Sequence, residues 1–160
     1  MIELAELKQE FDYSIKIILI GGPDSGKTSF FNRLIYNSFS LTKISSVGIE
    51  IGTKLFESSE YSLSIDVWDS AGFEKTYMRS EVYHQAALGA FLLFDLTSRQ
   101  SFSDAQTIYA FFKSRNENLL IYLLGNKADL GNIREVPEDE VKDFVDSKGI
   151  KFAEVSALNG

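Results

Sequence analysis

The sequence contains no cysteine, only one histidine and only two prolines among its 160 residues. Without cysteine the chain has no disulfide framework, no thiolate chemistry and no Cys-based zinc site. The same absence rules out prenylation or palmitoylation of this chain, because both modifications require a cysteine. A single histidine, His84, cannot form a His-rich metal centre. A reducing intracellular setting fits this composition.

Long hydrophobic runs and an excess of positive charge are also missing. No stretch approaches the roughly 18 apolar residues of a membrane span, and the acidic amino end is not a signal peptide. The net charge of −7 argues against a nucleic-acid partner, because duplex binding depends on Lys and Arg. We expect a cytoplasmic protein with no nucleic-acid partner and no membrane anchor in this chain. Contact with membrane surfaces would then come from partners or from sequence beyond Gly160.

The residues that are present describe one globular domain with alternating strands and helices. Hydrophobic content of 44% and charged content of 24% are too apolar for disorder. Short apolar runs alternating with helical stretches predict a parallel sheet covered on both faces, with the polar residues 58–60 forming a hairpin. The predicted strands are Ser14–Ile20, Ile49–Glu57, Tyr61–Trp68, Gly89–Asp95, Leu119–Leu124 and Lys151–Val155, and the predicted helices are Lys27–Tyr36, Ser101–Ser114 and Glu138–Ser147.

The two ends of the chain differ from this pattern. Leu4, Leu7 and Phe11 recur at helical spacing, which predicts a helical extension over residues 1–13. A frayed extension is the alternative. At the other end the sequence stops at Gly160 directly after the last predicted strand, so we expect a final helix to be missing from this chain.

The segment Gly21–Thr28 matches G-x-x-x-x-G-K-[ST] between a predicted strand and a predicted helix. In that position backbone N–H groups and the helix N-terminus converge on phosphate oxygens. Lys27 would supply a charge for the outer phosphates, and the Thr28 hydroxyl a hard oxygen for Mg²⁺. A glycine-rich turn that matches by chance is the alternative.

Two further segments follow predicted strands at the edge where open α/β sheets bind ligands. The first, Asn126–Asp129, has the pattern N-K-x-D, and the Asp129 carboxylate can accept hydrogen bonds from N1–H and the 2-amino group of guanine. Adenine has neither donor, and an unpaired buried carboxylate discriminates strongly. The second, Ser156-Ala157-Leu158, is a small loop whose backbone N–H could reach guanine O6. A polar loop is the alternative for the N-K-x-D segment taken alone.

The segment Asp69-Ser70-Ala71-Gly72 has the pattern D-x-x-G after another predicted strand. An acidic residue at a strand end can hold Mg²⁺ through water, so we predict this role for Asp69. The backbone N–H of Gly72 can reach a terminal phosphate. A helix cap is the alternative for this segment.

Together these motifs resemble the Ras superfamily of small GTPases, and most closely its Rab branch, which acts in vesicle trafficking. The resemblance extends from about Tyr13 to Gly160 in the family's motif order. Its motifs are GGPDSGKT at 21–28, VGI at 47–49, WDSAG at 68–72, DLTS at 95–98 with Ser101-Phe102, GNKADL at 125–130 and EVSA at 154–157.

The resemblance implies a P-loop GTPase (G) domain over residues 14–160, of the α/β class. We expect a six-stranded, mostly parallel sheet with one antiparallel edge strand, and helices on both faces. Phe39 resembles the aromatic residue that stacks over guanine, and Ser46 stands where a threonine reaches Mg²⁺ and the γ-phosphate. Mg²⁺ and GTP or GDP are the implied ligands, and effector and exchange-factor proteins the implied partners of two switch loops. The expected nucleotide-binding residues are Gly22, Asp24, Ser25, Gly26, Lys27, Thr28, Ser29, Phe39, Ser46, Gly72, Asn126, Lys127, Asp129, Ser156, Ala157 and Leu158, with Thr28, Ser46 and Asp69 at the metal.

Three departures from the family pattern concern catalysis. Phe73 occupies the position of the glutamine that orients the attacking water, and phenylalanine has no hydrogen-bonding group. Pro23 lacks an N–H and puts a ring near the path of an arginine finger. Asp24 puts a carboxylate near phosphates, which is tolerable only if it points outward. We expect a GTPase in which Lys27 still acts and hydrolysis is slow. A pseudo-GTPase scaffold that binds guanine nucleotide without cycling is the alternative, and an ATP-using kinase or ATPase is a weaker third.

Overall fold

The computed structural model describes residues 11–40, 48–70 and 80–160. Within these ranges the chain forms six strands, four α-helices and one 3-10 helix, Ala128–Ile133. The strands are β1 (Tyr13–Gly21), β2 (Glu50–Glu57), β3 (Ser62–Asp69), β4 (Ala87–Asp95), β5 (Leu120–Asn126) and β6 (Lys151–Glu154). The helices are α1 (Lys27–Tyr36), α2 (Glu81–His84), α3 (Arg99–Arg115) and α4 (Glu138–Lys148).

The strands form one sheet in the order β2-β3-β1-β4-β5-β6. All neighbours are parallel except the edge strand β2, which is antiparallel to β3. The two strands are joined by a tight turn in which Ser58 donates from both its N–H and its hydroxyl to the carbonyl of Tyr61. The predicted fold class is confirmed, and each predicted strand is present with small shifts at its ends.

The central strands are apolar on both sides because the sheet is covered on both faces. Side chains alternate along a strand, so Ile18 and Ile20 enter one core cluster and Leu19 enters the other. In β4, Leu92 and Phe94 are in the first cluster and Leu93 in the second. The first cluster takes buried residues from α2, α3 and α4, whereas the second contains Phe31 of α1. Helices therefore pack on both faces, as predicted.

Helix α1 has ends that its sequence explains. Gly26, at the N-cap, has φ of 88°, which favours glycine. Asn37 at the C-cap is left-handed, with φ of 51°, and its N–H donates to the Arg33 carbonyl. Between these residues the side chain of Phe31 is fully buried. The helix therefore begins directly after the glycine-rich loop, and its two caps and the buried Phe31 fix its position.

The short helix α2 is attached to the sheet through Tyr83. The buried Tyr83 hydroxyl is 2.7 Å from the Leu19 carbonyl and 2.9 Å from the Trp68 carbonyl, so these two acceptors share its single proton. Burial raises the pKa of Tyr83 far above its ordinary value. Nζ of Lys16, in β1, lies 3.6 Å from the centroid of the Trp68 ring and donates to the Val82 carbonyl. These contacts hold α2 against β1 and β3.

The predicted amino-terminal helix Glu3–Phe11 lies outside the described residues except for Phe11. Among the helices that the structure describes, none combines the length and the apolar character needed to cross a bilayer.

Candidate nucleotide-binding site

The predicted functional segments meet at one edge of the sheet. The glycine-rich loop follows β1, Asp69 ends β3, Asn126 ends β5, and Ser156 follows β6. All four strands are parallel in the sheet, so their carboxyl ends lie on the same side. This is the edge at which open α/β sheets bind ligands.

The loop between β1 and α1 is closely packed at its glycines. A Cβ at Gly26 would lie 2.2 Å from Nδ2 of Asn126, and a Cβ at Gly21 would lie 2.4 Å from the Leu93 carbonyl oxygen. Ser25 is fully buried and its hydroxyl donates to the Gly22 carbonyl at 2.9 Å. The loop therefore requires glycine at positions 21 and 26, because a side chain at either position would clash with neighbouring atoms. The hydrogen bond between Ser25 and Gly22 stabilises the curvature of the loop.

Lys27 lies in the first turn of α1, and its ammonium group contacts the glycine-rich loop. Nζ donates to the Gly21 carbonyl at 3.1 Å and to the Gly22 carbonyl at 2.9 Å, and the side chain is only 5% exposed. The ammonium group thus lies at the loop whose N–H groups and following helix N-terminus favour an anion. The position therefore suits a phosphate anion bound by the loop.

Thr28 and Asp69 bring two hard oxygen atoms together beside this loop. The Thr28 hydroxyl donates to Oδ2 of Asp69 at 2.6 Å, and Asp69 is fully buried. A hydroxyl and a carboxylate are the oxygen ligands that Mg²⁺ prefers, directly or through water. The donor set therefore fits the predicted magnesium ion.

Asn126 links the phosphate loop to the predicted base-binding loop. Its side-chain Nδ2 donates to the Ser25 carbonyl at 3.0 Å, and its Oδ1 accepts from the Ala157 N–H at 3.4 Å. Asn126 is itself buried. The two halves of the site therefore share one side chain.

Asp129 and Ser156 are paired in the predicted base-binding region. The Ser156 hydroxyl donates to Oδ1 of Asp129 at 2.6 Å and accepts from the Asn159 N–H at 3.1 Å. Beside this pair Ala157 is buried and Leu158 is exposed. The carboxylate is thus oriented by the same loop that was predicted to reach guanine O6.

Lys127 is held by Asp95, which sequence reasoning did not assign to the site. Nζ of Lys127 lies 2.5 Å from Oδ2 of Asp95. The other oxygen, Oδ1, accepts from the N–H and the hydroxyl of Thr97. The motif DLTS at 95–98 was the available signal, because it places a carboxylate at the carboxyl end of β4, next to β5.

The remaining predicted residues have less defined surroundings. Asp24 is exposed in the loop, with φ of 57°. A carboxylate near phosphates is tolerable only if it points outward, and the exposure of Asp24 agrees with that requirement. Ser29 in α1 and Phe39 after it are half-buried. Ser46, Gly72 and Phe73 lie outside the described residues.

Two side chains near the site carried no sequence signal. Arg33 of α1 donates to the carbonyls of Ala157 and Leu158. Asp104 of α3 approaches the phosphate loop so closely that a Cβ at Gly22 would lie 2.9 Å from its carboxylate. Both contacts join helices to distant loops, so only the fold reveals them.

Comparison with known proteins agrees with this geometry. A sequence profile of the Ras family matches residues 16–160. The Ras-related protein RABA4c of Arabidopsis thaliana is 34% identical over 156 residues, which cover 97% of this chain and 70% of that protein. The Ras-related protein Rab-11A of Dictyostelium discoideum is 34% identical over 153 residues, covering 95% of this chain and 72% of that protein.

A third relative, the Ras-related protein Rab11A of Lotus japonicus, is 35% identical over 150 residues and covers 93% of this chain and 66% of that protein. The matched range includes the phosphate loop, the D-x-x-G segment and the N-K-x-D segment. The chain belongs to the Ras family of small GTPases and is Rab-like.

Proposed function

We propose that this chain is a nucleotide-dependent switch that binds Mg²⁺ with GTP or GDP and hydrolyses GTP slowly. The observation that carries the proposal is the pair of hydrogen bonds made by Asn126. Through them the phosphate loop and the base loop form one continuous site with a fixed separation. A site of this kind suits a ligand with a phosphate chain at one end and a purine at the other.

The phosphate end would be bound by this chain's own positive groups. The N–H groups of the loop and the N-terminus of α1 favour an anion. The ammonium of Lys27, held by two loop carbonyls, adds a full charge. Thr28 and Asp69 would hold Mg²⁺, which supplies charge neutralisation on the phosphates when it is bound. These groups would give affinity for a nucleoside triphosphate of any base.

The base end would select guanine. The Asp129 carboxylate, oriented by Ser156, would accept from N1–H and the 2-amino group, and a loop N–H would donate to O6. Adenine offers neither donor to the carboxylate and no oxygen at position 6. The buried groups would then be left unpaired, which is the basis of strong discrimination.

Hydrolysis should be slow because the chain lacks a group that positions water at residue 73. Phosphoryl transfer depends on positioning and on charge neutralisation, with little covalent help from the protein. Lys27 and the loop can still neutralise charge, so some activity should survive. Ser46 and Gly72 would sense the γ-phosphate and order the two switch loops for effectors, and exchange factors would act there as well.

The second candidate is a pseudo-GTPase scaffold that holds guanine nucleotide and never cycles. The observation that favours it is Phe73 in place of the catalytic glutamine. Both candidates require guanine nucleotide and differ only in turnover. Binding experiments therefore test what they share, and turnover experiments separate them.

The test begins with the nucleotide that copurifies with the protein, released by denaturation and identified by chromatography. Binding of GDP, GTP, ADP and ATP is then measured with and without Mg²⁺, followed by single-turnover hydrolysis of GTP. We expect guanine nucleotide alone, and a slow but measurable release of phosphate. Equal affinity for adenine nucleotides would overturn the proposal, and a bound GTP that never hydrolyses would favour the scaffold.

Lys27→Met is the informative variant for the phosphate end, and Lys142→Met is its matched control. Lys142 pairs with Asp146 on the exposed surface of α4, away from the sheet edge. Lys27→Met should abolish nucleotide binding, whereas Lys142→Met should bind as wild type does. Loss of binding in both variants would show that the first effect is not specific to the site.

A further inference from the structure

The guanidinium group of Arg33 donates hydrogen bonds to two separate segments, the Ala157–Leu158 loop and the end of α1 at Asn37. Nε donates to the Ala157 carbonyl at 2.9 Å and Nη2 to the Leu158 carbonyl at 2.8 Å. Nη1 donates to both the backbone carbonyl and the side-chain oxygen of Asn37, at 3.2 and 3.1 Å. One side chain of α1 therefore binds four oxygen atoms from two segments.

Each of these two segments contains, or lies close in the chain to, a residue predicted to contact the base. Asn37 is the C-cap of α1 and precedes Phe39, the residue that resembles the aromatic side chain over guanine. Ala157 and Leu158 belong to the loop whose N–H groups are candidates for guanine O6. Arg33 therefore fixes the distance between the end of α1 and this loop.

The bonds also fix the orientation of the loop's peptide groups. A trans peptide is planar, with its carbonyl and its N–H pointing in opposite directions. Because the Ala157 carbonyl points to Arg33, the N–H of Leu158 points away from it. The N–H of Ala157 is held separately by Oδ1 of Asn126. Arg33 and Asn126 together leave the loop little freedom to rotate.

Arginine suits this role better than lysine. Its guanidinium is a rigid planar fork with five N–H donors, so it can bind several acceptors in a fixed geometry. A lysine ammonium is a single point at the end of a flexible stem and could satisfy only part of the set. The expected consequence is that lysine keeps the charge but loses most of the loop's alignment.

We propose that Arg33 is a positioning residue for base recognition, because it aligns the N–H of Leu158, in the Ala157–Leu158 loop, with the 6-oxygen of a guanine base. This inference rests on the proposed function and adds a determinant of base specificity that lies outside the nucleotide-binding motifs. It predicts that loss of Arg33 weakens recognition of the 6-oxygen more than it weakens binding of the phosphates.

The test compares three diphosphates on the whole chain: GDP, inosine diphosphate, and 2-aminopurine riboside diphosphate. Inosine diphosphate keeps the 6-oxygen, and the 2-aminopurine compound lacks it. In Arg33→Met we expect the affinity for GDP and for inosine diphosphate to fall by about tenfold or more, and that for the 2-aminopurine compound by less than about threefold. Arg33→Lys should recover part of the loss.

Arg99→Met is the matched control, because Arg99 pairs with Glu140 at the surface, away from the base region. It should leave all three affinities unchanged. If Arg33→Met does not fold, as judged by circular dichroism, the same comparison on Arg33→Lys decides the question. An equal loss for all three compounds, or no loss, would overturn the role in base recognition. Wild-type protein that binds none of the three would overturn the proposed function, and this inference with it.

Discussion

The hydroxyl of Thr28 donates a 2.6 Å hydrogen bond to Oδ2 of Asp69. Thr28 lies in the first turn of the helix after the phosphate loop, and Asp69 ends β3, so the bond joins the two segments predicted to hold Mg²⁺. A carboxylate as buried as Asp69 requires a partner that can donate to it or a cation that can neutralise it. The hydroxyl supplies the first, and a hydrated magnesium ion would supply the second.

Thr28→Asn should therefore weaken binding of GTP more than binding of GDP. The asparagine side chain is longer than threonine and lacks the hydroxyl ligand, and Mg²⁺ matters most for the more highly charged triphosphate. We expect a loss of about tenfold or more for GTP relative to GDP, measured by titration at saturating and at chelated Mg²⁺. Thr53→Asn is the control, because Thr53 donates to Asp66 at 2.7 Å on the exposed surface of the sheet. A GTP affinity that does not depend on Mg²⁺ would contradict the assignment.

Asp129→Asn should change the base preference of the site from guanine to xanthine. The carboxylate would accept two hydrogen bonds from guanine, whereas an amide offers one donor and one acceptor, which suits the 2-oxygen of xanthine. The Ser156 hydroxyl can still donate to the amide oxygen, so the loop should keep its structure. We expect GDP affinity to fall and xanthosine diphosphate affinity to rise, each by at least about tenfold. Asp146→Asn on α4 is the control, and an equal loss for all purines would show that Asp129 is only structural.

Phe73→Gln should accelerate hydrolysis. A related GTPase that has the glutamine but no activating protein turns over at roughly 10⁻⁴ per second. Loss of about 1.4–3 kcal/mol of transition-state stabilisation would slow that by a further factor of roughly 10–100. Single-turnover assays at saturating Mg²⁺ should show the gain in the glutamine variant only.

Phe73→Leu separates the new amide from the loss of the aromatic ring. It removes the ring without adding a hydrogen-bonding group, so its rate should stay at the wild-type value. A wild type already faster than the related GTPase would mean that another residue positions the water. A leucine variant as fast as the glutamine variant would show that the ring obstructs the site.

Tyr83→Phe should destabilise the fold by about 1–3 kcal/mol, because the buried carbonyls of Leu19 and Trp68 lose their shared donor. The free energy of unfolding is measured by urea denaturation, with the exposed Tyr61→Phe as control. Burial raises the pKa of Tyr83 above its unfolded value. The stabilisation is thus complete below about pH 10 and is lost at higher pH. The phenylalanine variant should therefore lose less stability than wild type between pH 9 and pH 11, and equal alkaline losses would contradict this.

The sequence was most informative where backbone geometry forces a residue type. The pattern at Gly21–Thr28 predicts a strand, a tight loop and a helix, and all three occur at that place. Short apolar runs likewise predicted the strands, and the two core clusters explain why both sides of the central strands are apolar. These features depend on neighbours in the chain, so they can be predicted locally.

Contacts between distant segments were not predictable in the same way. Arg33 and Ala157 are 124 residues apart, and no local pattern distinguishes Arg33 from an ordinary surface arginine on a helix. The pairing of Lys127 with Asp95 needs the adjacency of β4 and β5, which only the sheet order supplies. The bounds of helix α2 were also not predicted, because its attachment depends on Tyr83 reaching two strands rather than on helix propensity.

The hydrogen bond from Asn126 to the Ser25 carbonyl spans 101 residues of sequence. Contacts between such distant residues form late when a chain folds, because the entropy of closing a long loop must be overcome first. The loop after β1 can form its contact with Asn126 only when β4 and β5 have joined the sheet. A partly folded chain with native helices and strands would therefore have no complete ligand site. Guanine nucleotide would recognise only the finished domain, and its capture would be the last event of folding.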